Sequence, residues 1–141
     1  MPPRSVARVL DANANRALEG LRVCEDIVRF HLGSGRVLRR ARTLRHGVAL
    51  AVGRLPVGAV ERLRARDTRR DAGRRASAAP VASLERLLLI NFQRAKEALR
   101  VLEECSRLIA PRQTAAFQRL RFRAYEVERD TLLRVDAVRH R

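Results

Sequence analysis

The chain has no tryptophan, one tyrosine and four phenylalanines among its 141 residues. Platforms for single-stranded nucleic acid stack bases on aromatic rings, so that class of partner is poorly served. Cysteine is scarce as well. Cys24 and Cys105 fall inside apolar helical periods and read as small buried hydrophobes in a reducing compartment, with neither a disulfide nor a metal expected of them. No stretch approaches the roughly 18 apolar residues of a membrane span. The N-terminal MPPRSVARVL lacks the apolar centre of a secretory signal. The expectation is a cytoplasmic protein with no membrane partner. GxxxxGK[ST], GxGxxG after a strand, GxSxG and HExxH are all absent. A nucleotide-using enzyme built on this chain would therefore use neither a P-loop nor a Rossmann crossover. His31, His46 and His140 show no metal or triad spacing; His140 reads as tail, and His46 as an interfacial or groove-facing residue.

Lysine is nearly missing too: Lys96 is the only one among 31 basic residues. Even so, the formal charge is +16 and the pI about 11.8. Such a surface attracts anions. The Ala-, Val-, Leu- and Arg-rich composition has the look of a GC-rich coding background, which inflates arginine on solvated faces. Nucleic acid is accordingly the less favoured partner. Phosphorylated small molecules suit the arginines equally well, because a guanidinium fork binds phosphate oxygens through two hydrogen bonds at once. By length the chain is one domain, long enough to bury a core without disulfides or metals.

What the sequence does have is a repeat. NANRALEGLRVCED, residues 13–26, returns as NFQRAKEALRVLEE, residues 91–104, at an offset of 78 with eight of fourteen positions identical. The repeated Leu, Val and Ala follow from packing. The repeated polar pairs Asn13/Asn91, Arg16/Arg94, Glu19/Glu97, Arg22/Arg100 and Glu25/Glu103 do not, and they point to a site.

Apolar spacing predicts four main helices. The first runs from Val6 to about Leu32, with Ser5 as N-cap and Gly33 as C-cap. The second runs from about Gly35 to Arg54, before Pro56. The third opens at Ser83 and reaches about Ile109, where Pro111 stops it. The fourth spans about Gln113 to Val138. The same offset pairs Leu44-Arg45 with Phe122-Arg123. The expected fold is therefore all-α: a four-helix bundle of two repeated helical hairpins, about 6–54 and 83–138, related by a pseudo-twofold axis. Residues 55–82 form a long basic connecting loop, in which Val60 and Leu63 could support a short helix over Gly58–Arg66.

On a helical wheel Gly20 lies ~20° and Arg16 ~60° from Asn13, on one flank of the apolar stripe, with Arg22 and Glu25 on the other. Asn91, Arg94 and Ala98, then Arg100 and Glu103, repeat the arrangement. Two such edges facing each other would make a groove rich in Arg, Asn and carboxylate. The plainer alternative is intrahelical pairing, Arg22 with Asp26 and Lys96 with Arg100 and Glu104, at ~0.3–0.5 kcal/mol each. Gly20 and its partner Ala98 signal close helix approach or room for a ligand. In the loop, Asp67 and Asp71 are spaced to share a Mg²⁺ if the segment turns helically, while Arg66, Arg69, Arg70, Arg74 and Arg75 could neutralise phosphate. A disordered basic linker is the alternative there.

DANANRALEGLRVCEDIVRF, TLRH, RDTRRDAG and NFQRAKEALRVLEE, in this order and spacing, resemble a small helical family. That family occurs fused to thiamine phosphate synthase in some bacteria and also as a stand-alone protein. The resemblance implies a hydroxymethylpyrimidine phosphate kinase, which uses ATP and Mg²⁺ to make the pyrimidine diphosphate. It carries over to Asp11, Asn13, Asn15, Arg16, Glu19, Gly20, Arg22, Glu25, Asp26, Arg45, His46, Arg66, Asp67, Asp71, Gly73, Asn91, Arg94, Glu97, Arg100 and Glu103. Departures are Arg74 where a hydroxyl residue is usual, Ile27 and Cys105 where an aromatic is usual, and ASAAP where an acidic residue is expected. On this reading Arg16, Arg22, Arg94 and Arg100 clamp phosphates. Asn13, Asn91, Glu19, Glu97, Arg45, His46 and Arg66 contact substrate. Asp67 and Asp71, with Glu25 and Glu103 as rivals, hold Mg²⁺. The partners expected are a phosphorylated pyrimidine, thiamine phosphate synthase and a second copy of the chain. Two alternatives compete: a non-catalytic accessory module docking on thiamine phosphate synthase, and a basic nucleic-acid-binding bundle.

Overall fold

The computed structural model describes residues 2–139, with side chains through Asp136; His140 lies outside them. Among the described residues there are five α-helices and no strand. Helix α1 spans Arg4–Ile27 and continues as a wider π-type turn over Val28–Leu32. Helix α2 spans Gly35–Gly53, α3 Ala59–Ala65, α4 Leu84–Ile109 and α5 Thr114–Arg139.

The ends have local causes. Gly33 takes φ 68°, the left-handed conformation that closes a helix without a Cβ clash, and its N–H donates to the Val28 carbonyl at 2.9 Å. The Ser34 hydroxyl accepts from Val37 N at 3.3 Å and Ser83 from Arg86 N at 3.1 Å, each satisfying a first-turn donor of α2 or α4. Pro111, which cannot extend α4, opens the short 3₁₀ turn Pro111–Gln113 leading into α5. Ser5 is not the cap expected of it: α1 begins earlier, after Pro3, with no side-chain cap.

Helix α1 packs chiefly on α4, and also on α2 and α3; α5 packs on both α4 and α2. Four long helices thus enclose one core, with α3 laid on the outside of α1. Leu10, Ala14, Ala17, Leu21, Cys24 and Val28 bury the predicted α1 stripe. It meets Leu88, Phe92, Ala95, Leu99 and Leu102 of α4 in one cluster, with Leu44 and Val48 of α2 and Phe117, Ala124 and Val127 of α5. Leu108, in the last turn of α4, is exposed.

The 55–82 segment is more structured than a connecting loop. Leu55, Val57 and Ala65 are buried around α3, whereas Val60 and Leu63 point outward. Arg66 then ties the chain to α1. Its Nε donates to Asp11 Oδ2 at 2.7 Å and its Nη2 to Oδ1 at 2.8 Å, a bidentate pair. The Asp11 carboxylate beside it holds the Arg66 guanidinium above its ordinary pKa. No helix among the described residues is long and apolar enough to cross a membrane.

Candidate functional site

The deepest consequence of the repeat lies between α1 and α4. A groove of about 560 Å³ is lined by Asn13, Arg16, Glu19, Gly20 and Val23 from α1, and by Asn91, Arg94, Glu97, Ala98 and Val101 from α4. These ten residues are five pairs at the offset of 78, so the groove is made of the repeat and nothing else. Its walls can close up because Gly20 has no side chain. A Cβ there would stand 3.0 Å from the Asn91 carbonyl oxygen and 3.6 Å from Ala95 Cβ. Close helix approach is therefore the reason for the glycine.

Asn13 and Asn91 are each 5% exposed. Asn13 Nδ2 donates to Val9 O and Asn91 Nδ2 to Leu87 O, both at 2.9 Å. Both amides are pinned by their own helix in the same way, which leaves the amide oxygen as the acceptor each offers to the groove. Arg16 and Arg94 are exposed and, among the described residues, have no hydrogen-bond or ion-pair partner. Glu97 accepts from Gln93 Nε2 at 3.0 Å. Two uncommitted guanidiniums, two carboxylates and two fixed amides over a floor of Gly, Ala and Val suit a flat, polar, anionic ligand.

A second cavity of about 570 Å³ abuts the first along α1, sharing Asn13 and Arg16. It is roofed by the segment that Arg66 anchors, and Arg8, Asn15, Asp67, Thr68 and Asp71 face it. The segment keeps its shape through its own carboxylates. Asp67 Oδ1 accepts from Arg70 N at 3.2 Å, and Asp71 Oδ1 from Gly73 N at 2.8 Å. Arg8 Nη2 reaches the Asp67 carbonyl at 3.3 Å. Arg69, Arg70, Arg74 and Arg75 are exposed around it.

The other flank of the repeat does not face this groove. Glu25 is 1% exposed and Glu103 5%. Glu25 accepts from Arg45 Nε at 2.5 Å and Nη2 at 3.1 Å, and from Arg42 Nε at 3.2 Å, both arginines being on α2. Glu103 accepts from Arg121 Nε at 3.1 Å on α5 and from Arg100 Nη1 at 2.8 Å. Burial pushes the Glu25 carboxyl up, but the hydrogen bonds from Arg45 and Arg42 outweigh it and leave the pKa below its ordinary value. These carboxylates bind α1 to α2 and α4 to α5. Arg22 pairs with Glu25 at 3.6 Å, one residue short of the expected Asp26. Arg100 lies 3.7 Å from Glu104 as well, but Lys96 leaves α4 for Glu128 of α5, at 2.8 Å, and stacks over the Tyr125 ring. Its position at the α4–α5 interface favours the partner across the interface over the one on its own helix. His46 is exposed on α2 and lines neither cavity. Among the described residues, no three His, Cys, Asp or Glu side chains converge as a metal-binding group.

With the geometry in place, the kinship is specific. The ThiD2 family profile matches residues 8–130. This chain belongs to the ThiD2 family. It is 42% identical over 127 residues to a thiamine-phosphate synthase of Nostoc sp., covering 87% of this chain and 34% of that protein. A thiamine-phosphate synthase of Gloeobacter violaceus is 41% identical over 127 residues, 87% of this chain and 35% of that protein. One from Rhodopirellula baltica is 35% identical over 135 residues, 94% of this chain and 36% of that protein. The chain spans about a third of the length of these curated relatives. No solved structure matches it.

In this ThiD2-family chain the predicted residues divide cleanly. Asn13, Arg16, Glu19, Asn91, Arg94 and Glu97 come together in one groove, and Arg66, Asp67 and Asp71 in the cavity beside it. Arg22, Arg45, Arg100, Glu25 and Glu103 come together elsewhere, as the ties between helices. Sequence reasoning passed over Arg8 and Ser5 in the loop-side cavity and Arg42 and Arg121 in the ties. The offset of 78 offered a signal for the first two, since it matches Ser5 to Ser83 and Arg8 to Arg86.

Proposed function

We propose that this chain phosphorylates hydroxymethylpyrimidine phosphate, using ATP and Mg²⁺, to give the pyrimidine diphosphate used in thiamine biosynthesis. The observation that carries the reading is the groove built of five repeat pairs, with Arg16 and Arg94 exposed on its two walls and without a hydrogen-bond or ion-pair partner among the described residues. Family membership and relatives named thiamine-phosphate synthase support the biosynthetic setting. We also read the architecture as a four-helix bundle of two repeated hairpins, α1–α2 and α4–α5, about a pseudo-twofold axis. The five groove pairs at one offset support it.

The chemistry asks for positioning and charge neutralisation. An oxygen of the acceptor's phosphate attacks the γ-phosphorus. The bond from that phosphorus to the β–γ bridging oxygen breaks, and ADP leaves with the electron pair. A phosphate oxygen is already a nucleophile, so no strong general base is needed. Arg16 and Arg94 hold the anionic groups in register. The Asn13 and Asn91 amides and the Glu19 and Glu97 carboxylates offer acceptors, two of which take the two N–H bonds of the pyrimidine's amino group and orient the ring. Asp67, Asp71 and the Thr68 hydroxyl are hard oxygen donors on one cavity wall. They fit Mg²⁺, which takes one or two carboxylates together with phosphates and keeps its waters. When bound, the ion neutralises phosphate charge. Glu25 and Glu103 are poor candidates for that duty, because they are buried, line neither cavity and have both oxygens engaged by arginines, whereas among the described residues Asp67 has one exposed arginine 3.7 Å away and Asp71 none.

ADP release by purified protein, given ATP, Mg²⁺ and the pyrimidine monophosphate, tests the reading. Turnover that falls about 100-fold or more in Arg16→Ala or Arg94→Ala is expected. A folded sample with no release above the blank refutes it. The accessory-module reading gains from one observation, that this chain spans only about a third of the length of these relatives. It predicts no ADP release but tight binding to a separate thiamine-phosphate synthase.

A further inference from the structure

The two halves of the groove match, but their surroundings do not. On the α1 side the wall continues into the loop-side cavity, because Asp11 receives the bidentate Arg66 and so holds down the 66–71 segment. On the α4 side the counterpart of Asp11 is Leu89, which is exposed and offers no carboxylate to anchor a loop. The cavities have nearly the same volume, so size does not separate their ligands. Their chemistry does. The loop-side cavity has Arg8 and Arg16 on its walls to meet phosphate oxygens, Arg66 being committed to Asp11, and carries the Asp67, Asp71 and Thr68 oxygens that suit a phosphate-bound Mg²⁺. Both cavities carry carboxylates, but those of the inter-helix groove, Glu19 and Glu97, stand on separate helices with no hydroxyl among the lining residues and suit an exocyclic amine better than a metal-bound triphosphate. Its floor of Gly20, Ala98, Val23 and Val101 suits a flat methylated ring.

We propose that the two ligands divide along this broken symmetry: the nucleotide's phosphate chain lies in the loop-side cavity, the pyrimidine monophosphate lies between α1 and α4, and Arg16 bridges them where the phosphoryl group passes. The assignment rests on the kinase reading above and goes beyond it by giving each cavity its ligand. Arg16 is the one guanidinium common to both cavities, so it touches donor and acceptor phosphates together. Arg8 and Thr68 become nucleotide residues, while Arg94 and Glu97 become acceptor residues.

Isothermal titration of the full chain separates the two sites. The probes are a non-hydrolysable ATP analogue with Mg²⁺ and the pyrimidine monophosphate, each titrated alone and against the other at saturation. In Arg8→Ala and Thr68→Ala, nucleotide affinity falls by about 10-fold or more while the monophosphate is held as in wild type. In Arg94→Ala and Glu97→Gln the monophosphate weakens by a similar factor and the nucleotide does not. All four side chains are exposed, so melting temperatures stay near wild type and losses report on binding. A crossed pattern overturns the assignment and leaves the kinase reading standing, as does equal loss of both ligands in every variant. A wild-type chain that binds neither ligand overturns the kinase reading itself, and the assignment with it.

Discussion

Glu25→Gln tests whether the second flank of the repeat is structural. Glu25 is buried among three arginines, Arg45, Arg42 and Arg22. Glutamine keeps the shape but removes the charge, and its NH₂ group would face guanidinium donors. Breaking a buried ion pair from one side costs ~3–5 kcal/mol. Here Arg45 is 22% exposed and Arg42 44%, so water recovers part of the loss once they are freed. The expected cost is therefore ~2–3 kcal/mol. At ~2.1 cal/mol/K per residue, unfolding this chain carries an entropy near 0.3 kcal/mol/K, so Tm should fall by about 7–10 °C at pH 7. The pH dependence gives a second reading. The folded pKa of Glu25 lies below its ordinary 4.5, because hydrogen bonds and charge from the arginines outweigh burial, which acts to raise it. Its stabilisation is thus complete above pH ~4.5 and drains away as pH falls through the folded value. Glutamine does not titrate. The Tm gap between wild type and variant, followed by circular dichroism, should stay level from pH 8 to 5 and narrow below about pH 4. A drop under 3 °C, or a gap that ignores acid, refutes the structural role. ADP release by the folded variant should keep its wild-type Mg²⁺ dependence; losing it would return Glu25 to the metal site.

Arg22→Ala and Arg100→Ala should each keep turnover within about threefold of wild type, since neither lines the groove; a 100-fold loss in steady-state ADP release would put the second flank back in the site. Gly20→Ala gains ~1 kcal/mol of helix propensity but must push the Asn91 carbonyl away from 3.0 Å, so a net loss of ~1–2 kcal/mol is expected in urea unfolding; a stabilised variant would show that α1 and α4 separate easily. Arg66→Ala unties the loop and leaves the buried Asp11 carboxylate without its bidentate partner, so limited trypsin cleavage within 66–75 should speed up severalfold and Tm should fall by several degrees; unchanged proteolysis would mean the segment holds itself.

The four long helices were legible because period and punctuation agree in them. Gly33 and Pro111 each mark an end by a backbone property, and Ser83 marks one by its hydroxyl cap; all three are local and need no tertiary contact. Helix α3 was harder to see. Its apolar residues Val60 and Leu63 face solvent, and its docking depends on Ala65, Leu55 and Val57 together with the Arg66–Asp11 pair. That bond spans 55 residues and leaves no periodic trace. In the site, the helical wheel correctly separated two flanks around the apolar stripe. It carried no information on which neighbour each flank would meet, so Arg22 and Arg100 were grouped with Arg16 and Arg94. Only the packing of α1 on α4, with α2 against α1 and α5 against α4, puts one flank on the groove and the other in the ties between helices.

The repeat's register itself separates these duties. In the groove every lining residue keeps the offset of 78. In the ties between helices it fails. The counterparts of Arg42 and Arg45 are Leu120 and Arg123, yet it is Arg121 that reaches Glu103, and the counterpart of Arg121 is Thr43. A buried carboxylate can be neutralised by a long, flexible guanidinium from any of several positions within reach, so its partner is free to shift along the neighbouring helix. A groove that must present matched donors and acceptors to a rigid ligand has no such freedom, because moving one residue along a helix turns its side chain by ~100°. The strict register of the groove, set against the loose register of the ties, is what a binding site on a repeated scaffold should look like, and it supports the Asn13–Arg16–Glu19 edge and its repeat as the place of the proposed chemistry.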